Sequence, residues 1–301
     1  MTPVPVSPRR VFGVDFSAAK DAGSRTWVCR GHPGADGVRI ESVDPIDALP
    51  GGATAREEAF RALVQKIVES PRSAWGLDFC FGLPQPVAMG IGTGAAPTEL
   101  NVSLENVAAC SDADEFRRRC ADAADGAELR RRTDDEAATP FSPYNLRIYK
   151  QTFHGMTSVL KPLRSRNEIA VLPFDRLPEM ADSSGRRLPF HHAASGRAPH
   201  IYLMEVCPAS VLKALEYPDK GYKRADERSR RQRLELLQRL VRDGLVRPVA
   251  RQLRDRITDD ANGDALDAVL AAVGAWRGYR GVDHSVLHAN PLYAAEGFVY
   301  A

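Results

Sequence analysis

No apolar run in these 301 residues approaches the roughly 20 that would carry a helix across a bilayer. The opening MTPVPVSPRR also lacks the apolar stretch of a signal peptide. A membrane-spanning protein is therefore not expected, and the chain is expected to stay in the cytosol. Cysteine is scarce too: Cys29, Cys80, Cys110, Cys120 and Cys207 are odd in number and include no C-x-x-C pair. That argues against both a disulfide framework and a cysteine-held zinc, leaving small buried hydrophobes or free thiols. No fixed-period repeat is present. Lysine is missing from Arg224 to Arg256, a stretch with eleven arginines and five acids, so a formal net charge of +2 conceals a local basic excess. Arg117 to Arg119 and Arg130 to Arg132 form smaller clusters. Such stretches can follow a phosphate backbone, and they serve equally well as solvated helix faces.

What is present is ordinary for a globular chain, with 44% hydrophobic and 27% charged residues. The prolines near the start predict a disordered tail over residues 1–9. Arg10 to Phe16, containing VFGVDF, reads as a buried strand with an acid near its end, and RTWVCR (Arg25 to Arg30) and VRIESV (Val38 to Val43) as two more. Three strands in such close succession predict an antiparallel meander. Thr54 to Glu69 carries apolar residues at helical spacing, with Thr54 and Glu57 placed for a capping box. SAWGLDF (Ser73 to Phe79) is the fourth strand, and the intervening helix makes it parallel to the first. From about 89 to 199 Gly, Pro, Ser and charged residues predominate, with short helical pieces such as Asp112 to Ala124, and this stretch is expected to be an insertion in a single domain spanning 10–301. HIYLMEV (His200 to Val206) resumes as a fifth strand. Helices follow from Pro208, around Leu234 to Val241, over Val249 to Ile257, and from Asp264 to about Trp276 after Asn262-Gly263.

Four carboxylates stand where such an order converges. Asp15 ends the first strand, Asp78 ends the fourth, and Asp264 and Asp267 lie at i and i+3 on one face of the last helix. Asp267 interrupts a helix that is apolar nearly all round, so something cationic or hydrogen-bonding is expected to face it. Oxygen-only ligands suit hard cations, and Mg²⁺ or Mn²⁺ beside a phosphate is commonly held by two to four carboxylates. Each acid also has a structural role open to it. Asp264 can cap its helix, Asp78 can close the turn before Gly82, Asp15 can serve as a strand-end acceptor, and Asp267 can join a buried polar network. Glu205 precedes Cys207-Pro208 at a strand-to-helix junction, where it can favour the helix N-terminus or ligate a metal.

VFGVDFSAAK, GLDFCFGLP, MEVCPASVLKAL with GYK, NGDALDAVLAAVGAW and the closing EGFVY resemble, in order, the blocks of an uncharacterised family of predicted nucleases with a ribonuclease-H-like fold. The resemblance implies an α/β architecture: a five-stranded mixed sheet flanked by helices, strands 1–3 antiparallel, strands 4 and 5 parallel to the first, and a large insertion between strands 4 and 5. It puts Asp15 and Asp78 on the strand acids, Asp264 and Asp267 on a helix pair also seen in Holliday-junction resolvases, and Glu205 on the glutamate of an E-x-x-P block. It also implies Mg²⁺ or Mn²⁺ as cofactor and nucleic acid as substrate. Lys20, Arg147, Lys150, His154 and Lys223 are further possible contacts to phosphate or substrate. Two other functions remain open. One is a nucleotide-binding or phosphotransfer protein of the same superfold, suggested by Asp15-Phe16-Ser17, although that loop's usual glycine is missing and no second lobe is found. The other is a non-catalytic nucleic-acid-binding module.

Overall fold

The structure, a computed structural model, describes residues 7–92, 100–177 and 199–301. Of the expected tail over 1–9, residues 1–6 lie outside the described residues, while the Arg9 N–H is anchored on the Arg72 carbonyl at 2.6 Å. The fold is mixed α/β, with a six-stranded sheet in the order β3-β2-β1-β4-β6-β5, partly antiparallel, partly parallel and flanked by helices. The strands are β1 (Arg10–Asp15), β2 (Trp27–Gly34), β3 (Gly37–Pro45), β4 (Ser73–Leu77), β5 (Ile169–Leu172) and β6 (Ile201–Glu205). As expected, β1, β2 and β3 form an antiparallel meander and β4 lies parallel beside β1.

The sheet has six strands where five were expected. The additional one, β5, is the run IAVL inside the stretch read as an insertion, all four residues buried and paired in parallel with β6. Four apolar residues between charged RSRNE and Pro173 are too few to show a period.

Contacts group the chain into two compact units, one of Pro8–Asp78, Val206–Gly281 and Tyr300–Ala301, the other chiefly of Phe79–Glu205 and Val282–Val299. The first unit contains β1 to β4 and five helices of more than one turn: α1 (Arg56–Val68), α2 (Pro208–Ala214), α3 (Glu227–Arg242), α4 (Arg251–Asp259) and α5 (Asp264–Gly281). The capping box expected at α1 does not form. Ala55 is the N-cap, and Thr54 instead donates its hydroxyl to Asp47 at 3.2 Å. Helix α5 is buried nearly all round because it lies directly on the sheet. Glycines make that approach possible. A Cβ on Gly13 would stand 2.1 Å from the Ala268 carbonyl oxygen and the Ala272 nitrogen, and one on Gly76 would stand 2.2 Å from the Ala271 oxygen. Gly13 and Gly76 are register partners on β1 and β4, so together they clear one face of the sheet for α5.

The second unit contains β5 and β6. Ala113–Ala123 falls where a helical piece was expected and is capped by Asp112, which accepts from the Glu115 N–H at 2.8 Å. Tyr149–His154 continues through a π-helical segment, Gly155–Leu160, into Lys161–Arg164. Residues 93–99 and 178–198 of the expected insertion lie outside the described residues. All five cysteines are free, Cys207 half-buried and the others buried. No helix among the described residues is long and apolar enough to cross a membrane.

Candidate functional site

The geometry that seats α5 also gathers the acids. Side chains alternate along a strand, so Asp15 shares the face of Gly13, two residues earlier. On β4, Leu77 pairs with Val14, and the Asp78 N–H donates to the Val14 carbonyl at 3.0 Å, continuing the parallel ladder one residue further. Asp15 and Asp78 are therefore neighbours at the ends of adjacent strands. Asp264 and Asp267 enter from the first turn of α5, which starts after Gly263, a residue at φ +80° where the chain breaks from α4. The Asp267 N–H donates to the Gly263 carbonyl at 2.9 Å, and the Ala265 N–H to the Asp260 carboxylate at 2.9 Å. The acid that holds the start of the helix is thus Asp260, which leaves Asp264 free of the capping role considered for it.

Burial first, and neighbouring negative charge after it, raises these carboxyl groups. Burial pushes the Asp15 carboxyl well above the usual carboxylate range, and the charges of Asp267, Asp264 and Asp78 push it further. Asp264 is raised to about 6 by desolvation and then by Asp260 and Asp267. Asp267 is wholly buried and is also raised, with desolvation outweighing the opposing pull of Lys223 and Tyr222. Its Oδ1 accepts from the buried Tyr222 hydroxyl at 2.8 Å, while Oδ2 is ion-paired with the Lys223 ammonium. Lys223 is half-exposed, and its ammonium is raised by Asp267, Asp15 and Asp78 against the opposing loss of water around it. Asp267 therefore has the cationic partner that its place in an apolar helix required.

Arg233 is buried, and the hydrogen bonds it makes among the described residues go to backbone carbonyls. Its Nε donates to the Thr258 carbonyl at 2.8 Å, and its Nη1 donates to the Tyr222 and Arg224 carbonyls at 2.6 and 3.0 Å and to Ala261 at 3.5 Å. One side chain thus ties the Tyr222–Lys223 segment to the turn that introduces α5. Most of the other arginines between 224 and 256 pair with nearby acids, among them Arg230 with Asp259, Arg239 with Glu235 and Arg256 with Asp44.

Glu205 belongs to the second unit and to a separate network. It is buried, and both of its oxygens accept from Arg131, at 2.8 and 2.5 Å, with the Phe81 N–H adding a bond of 2.8 Å. Arg131 also bonds Asp134 through Nε and Nη2 at 3.1 and 2.8 Å. Arg131, read from the sequence as part of a surface cluster, is completely buried. In the same unit, Arg147 and Lys150 are exposed and lie over the rings of Phe141 and Tyr149, and His154 is partly covered against Phe153. Lys20 is exposed in the first unit.

The structure thus brings Asp15, Asp78, Asp264, Asp267 and Lys223 into one electrostatic cluster. The sequence reading missed Tyr222, Asp260, Arg233 and Arg131. Tyr222 alone had a signal, standing within the quoted GYK block. Among the described residues no group of three or more His, Cys, Asp or Glu side chains is arranged to hold a metal ion. The carboxylates gathered here offer oxygen donors only, the kind that suits a hard divalent cation.

A family model described as "Protein of unknown function (DUF429)" matches residues 13–290, and the chain belongs to that family. No curated protein and no solved structure matches it.

Proposed function

We propose that this member of the DUF429 family is a metal-dependent nuclease with a ribonuclease-H-like fold, hydrolysing phosphodiester bonds of nucleic acid with Mg²⁺ or Mn²⁺. The residues to hold the ion are Asp15, Asp78, Asp264 and Asp267. The observation that carries this reading is the convergence of these four acids from two adjacent strand ends and one helix start, near enough that Asp267, Asp264 and Asp78 all act on Asp15. Bound there, the ion would polarise a phosphoryl oxygen and lower the pKa of a bound water. The chain's own groups supply the framework. Asp260 keeps the first turn of α5 at the strand ends, Tyr222 orients the Asp267 carboxylate, and Arg233 fixes the segment that carries Tyr222 and Lys223. Glu205, with both oxygens held by Arg131, is assigned to bracing the turn after β4 through the Phe81 N–H.

The ribonuclease-H-like assignment draws support from the antiparallel β1-β2-β3 meander with β4 parallel to β1. A nucleic-acid substrate draws support from the second unit, where Arg117 and Lys150 lie over Tyr149 at 6.0 and 5.6 Å and Arg147 over Phe141 at 5.4 Å. Cations beside aromatic faces are what a phosphate backbone and its bases engage.

A second reading, a non-catalytic nucleic-acid-binding module, is favoured by one observation: Tyr222 and Lys223 already satisfy Asp267. Cleavage of labelled single- and double-stranded DNA and RNA separates the two, run with Mn²⁺ or chelator and with ATP hydrolysis as a control. Metal-dependent cleavage that Asp15→Asn abolishes is expected. Binding without cleavage would favour the module, and metal-dependent ATP hydrolysis without cleavage would favour a phosphotransfer protein.

A further inference from the structure

The ammonium of Lys223 is paired with the buried Asp267. A divalent cation would be drawn to the same place by the same oxygens. Two cations cannot share one carboxylate oxygen at contact distance without strong mutual repulsion, so one must yield. Lys223 is able to yield. Its side chain is 51% exposed and lies outside α5, on the segment before α3, whereas Asp267 is fixed in a buried helix and held on its other oxygen by Tyr222. Arg233 grips the carbonyls of Tyr222 and Arg224, on either side of Lys223, so the backbone there is held while the lysine side chain remains able to rotate into water.

We infer that Lys223 is a built-in substitute for the metal: its ammonium occupies Asp267 in the metal-free protein and is displaced when a divalent cation binds. This rests on the reading of the acids as a metal site and adds a competitor to it. The competition stabilises the metal-free protein, because Asp267 never stands charged and unpaired in its apolar helix. It also weakens metal binding, and it frees a positive charge at the site when metal arrives.

Two measurements on the full chain test this. In the first, Mn²⁺ is titrated calorimetrically into the parent, Lys223→Met, Lys223→Gln and Asp15→Asn, with melts in chelator confirming that each is folded. Removing the competitor should tighten Mn²⁺ binding by about tenfold or more, since the ion no longer has to break the Lys223–Asp267 pair to reach the carboxylate. Asp15→Asn should abolish binding. In the second, acetic anhydride labels the lysines of the parent, and mass spectrometry compares Lys223 with the exposed Lys20 of the same molecule. Mg²⁺ should raise labelling of Lys223 several-fold relative to Lys20, because an ammonium released from its carboxylate loses its proton more readily. If the parent binds Mn²⁺ but the lysine variants bind it no more tightly, or if labelling of Lys223 ignores Mg²⁺, the lysine proposal is overturned and the metal site survives. If neither parent nor lysine variants bind Mn²⁺, both fall together.

Discussion

Replacing Asp264 by Asn should make the metal-free protein more stable at pH 8, an unusual direction for an acid at a candidate active site. The folded-state carboxyl is raised to about 6, above its ordinary value of 3.8, so the folded chain holds the proton more tightly than the unfolded chain does. A group of this kind contributes stability that is fully present below about pH 3.8 and is lost as the pH rises through about 6. At pH 8 the ionised carboxylate therefore weighs against folding, by at most ~3 kcal/mol at ~1.4 kcal/mol per pKa unit. Partial solvent access lowers that to ~1–2 kcal/mol. An Asn at this position also loses ~0.3–1 kcal/mol of favourable interaction with the N-terminus of α5. The net gain is ~1 kcal/mol, or about 2 °C in melting temperature for a chain of this size. The assay is a set of thermal melts of parent and Asp264→Asn in chelator at pH 8 and pH 4, repeated with Mn²⁺ at pH 8. The advantage of the variant should vanish at pH 4, where the parent's acid is largely protonated, and Mn²⁺ should raise the parent's melting temperature more than the variant's. A variant less stable than the parent at pH 8, or one with the same offset at both pH values, would refute the claim that an ionised Asp264 is held here against burial and the charges of Asp260 and Asp267.

Other substitutions test the framework. Gly13→Ala places a methyl against the backbone of α5 and should destabilise by ~3 kcal/mol or more in urea unfolding; a loss under 1 kcal/mol would show that the helix does not lie on β1 as described. Arg131→Met leaves Glu205 and Asp134 buried without their cation and should cost ~3–5 kcal/mol, and the additional change Glu205→Gln should recover part of that. A double mutant no more stable than Arg131→Met would argue against the pairing. Arg147→Ala with Lys150→Ala should leave the melting temperature within about 1 °C of the parent's and weaken nucleic-acid binding, flattening its salt dependence. Unchanged binding in fluorescence anisotropy would remove this surface from the substrate path.

What could be seen in advance follows from how local the signals are. The strand β1, the helix α5 and the parallel β4 announce themselves through continuous apolar runs, and their acids stand out because a carboxylate beside such a run is conspicuous. The run in β5 is too short to do so. Thr54 and Glu57 matched a capping pattern, but a capping pattern records only spacing, and the Thr54 hydroxyl found Asp47 instead. The partners of the acids were the least visible part. Tyr222 lies 45 positions from Asp267, and Arg131 lies 74 positions from Glu205. No sequence period links residues so far apart. Arg131 and Arg233 sat among other arginines that remain at the surface, and composition cannot tell a buried guanidinium from a solvated one. The acids could therefore be named from the sequence, whereas the cation that balances Asp267 and the arginine that positions it needed the fold.

The central claim, that these four carboxylates hold a divalent ion, is tested most directly by crystals soaked in Mn²⁺ and measured for anomalous scattering. The account predicts a peak bounded by Asp15, Asp78 and the first turn of α5, with the Lys223 side chain turned away from Asp267. A fully soaked crystal with no peak there, and with Lys223 still on Asp267, would contradict it.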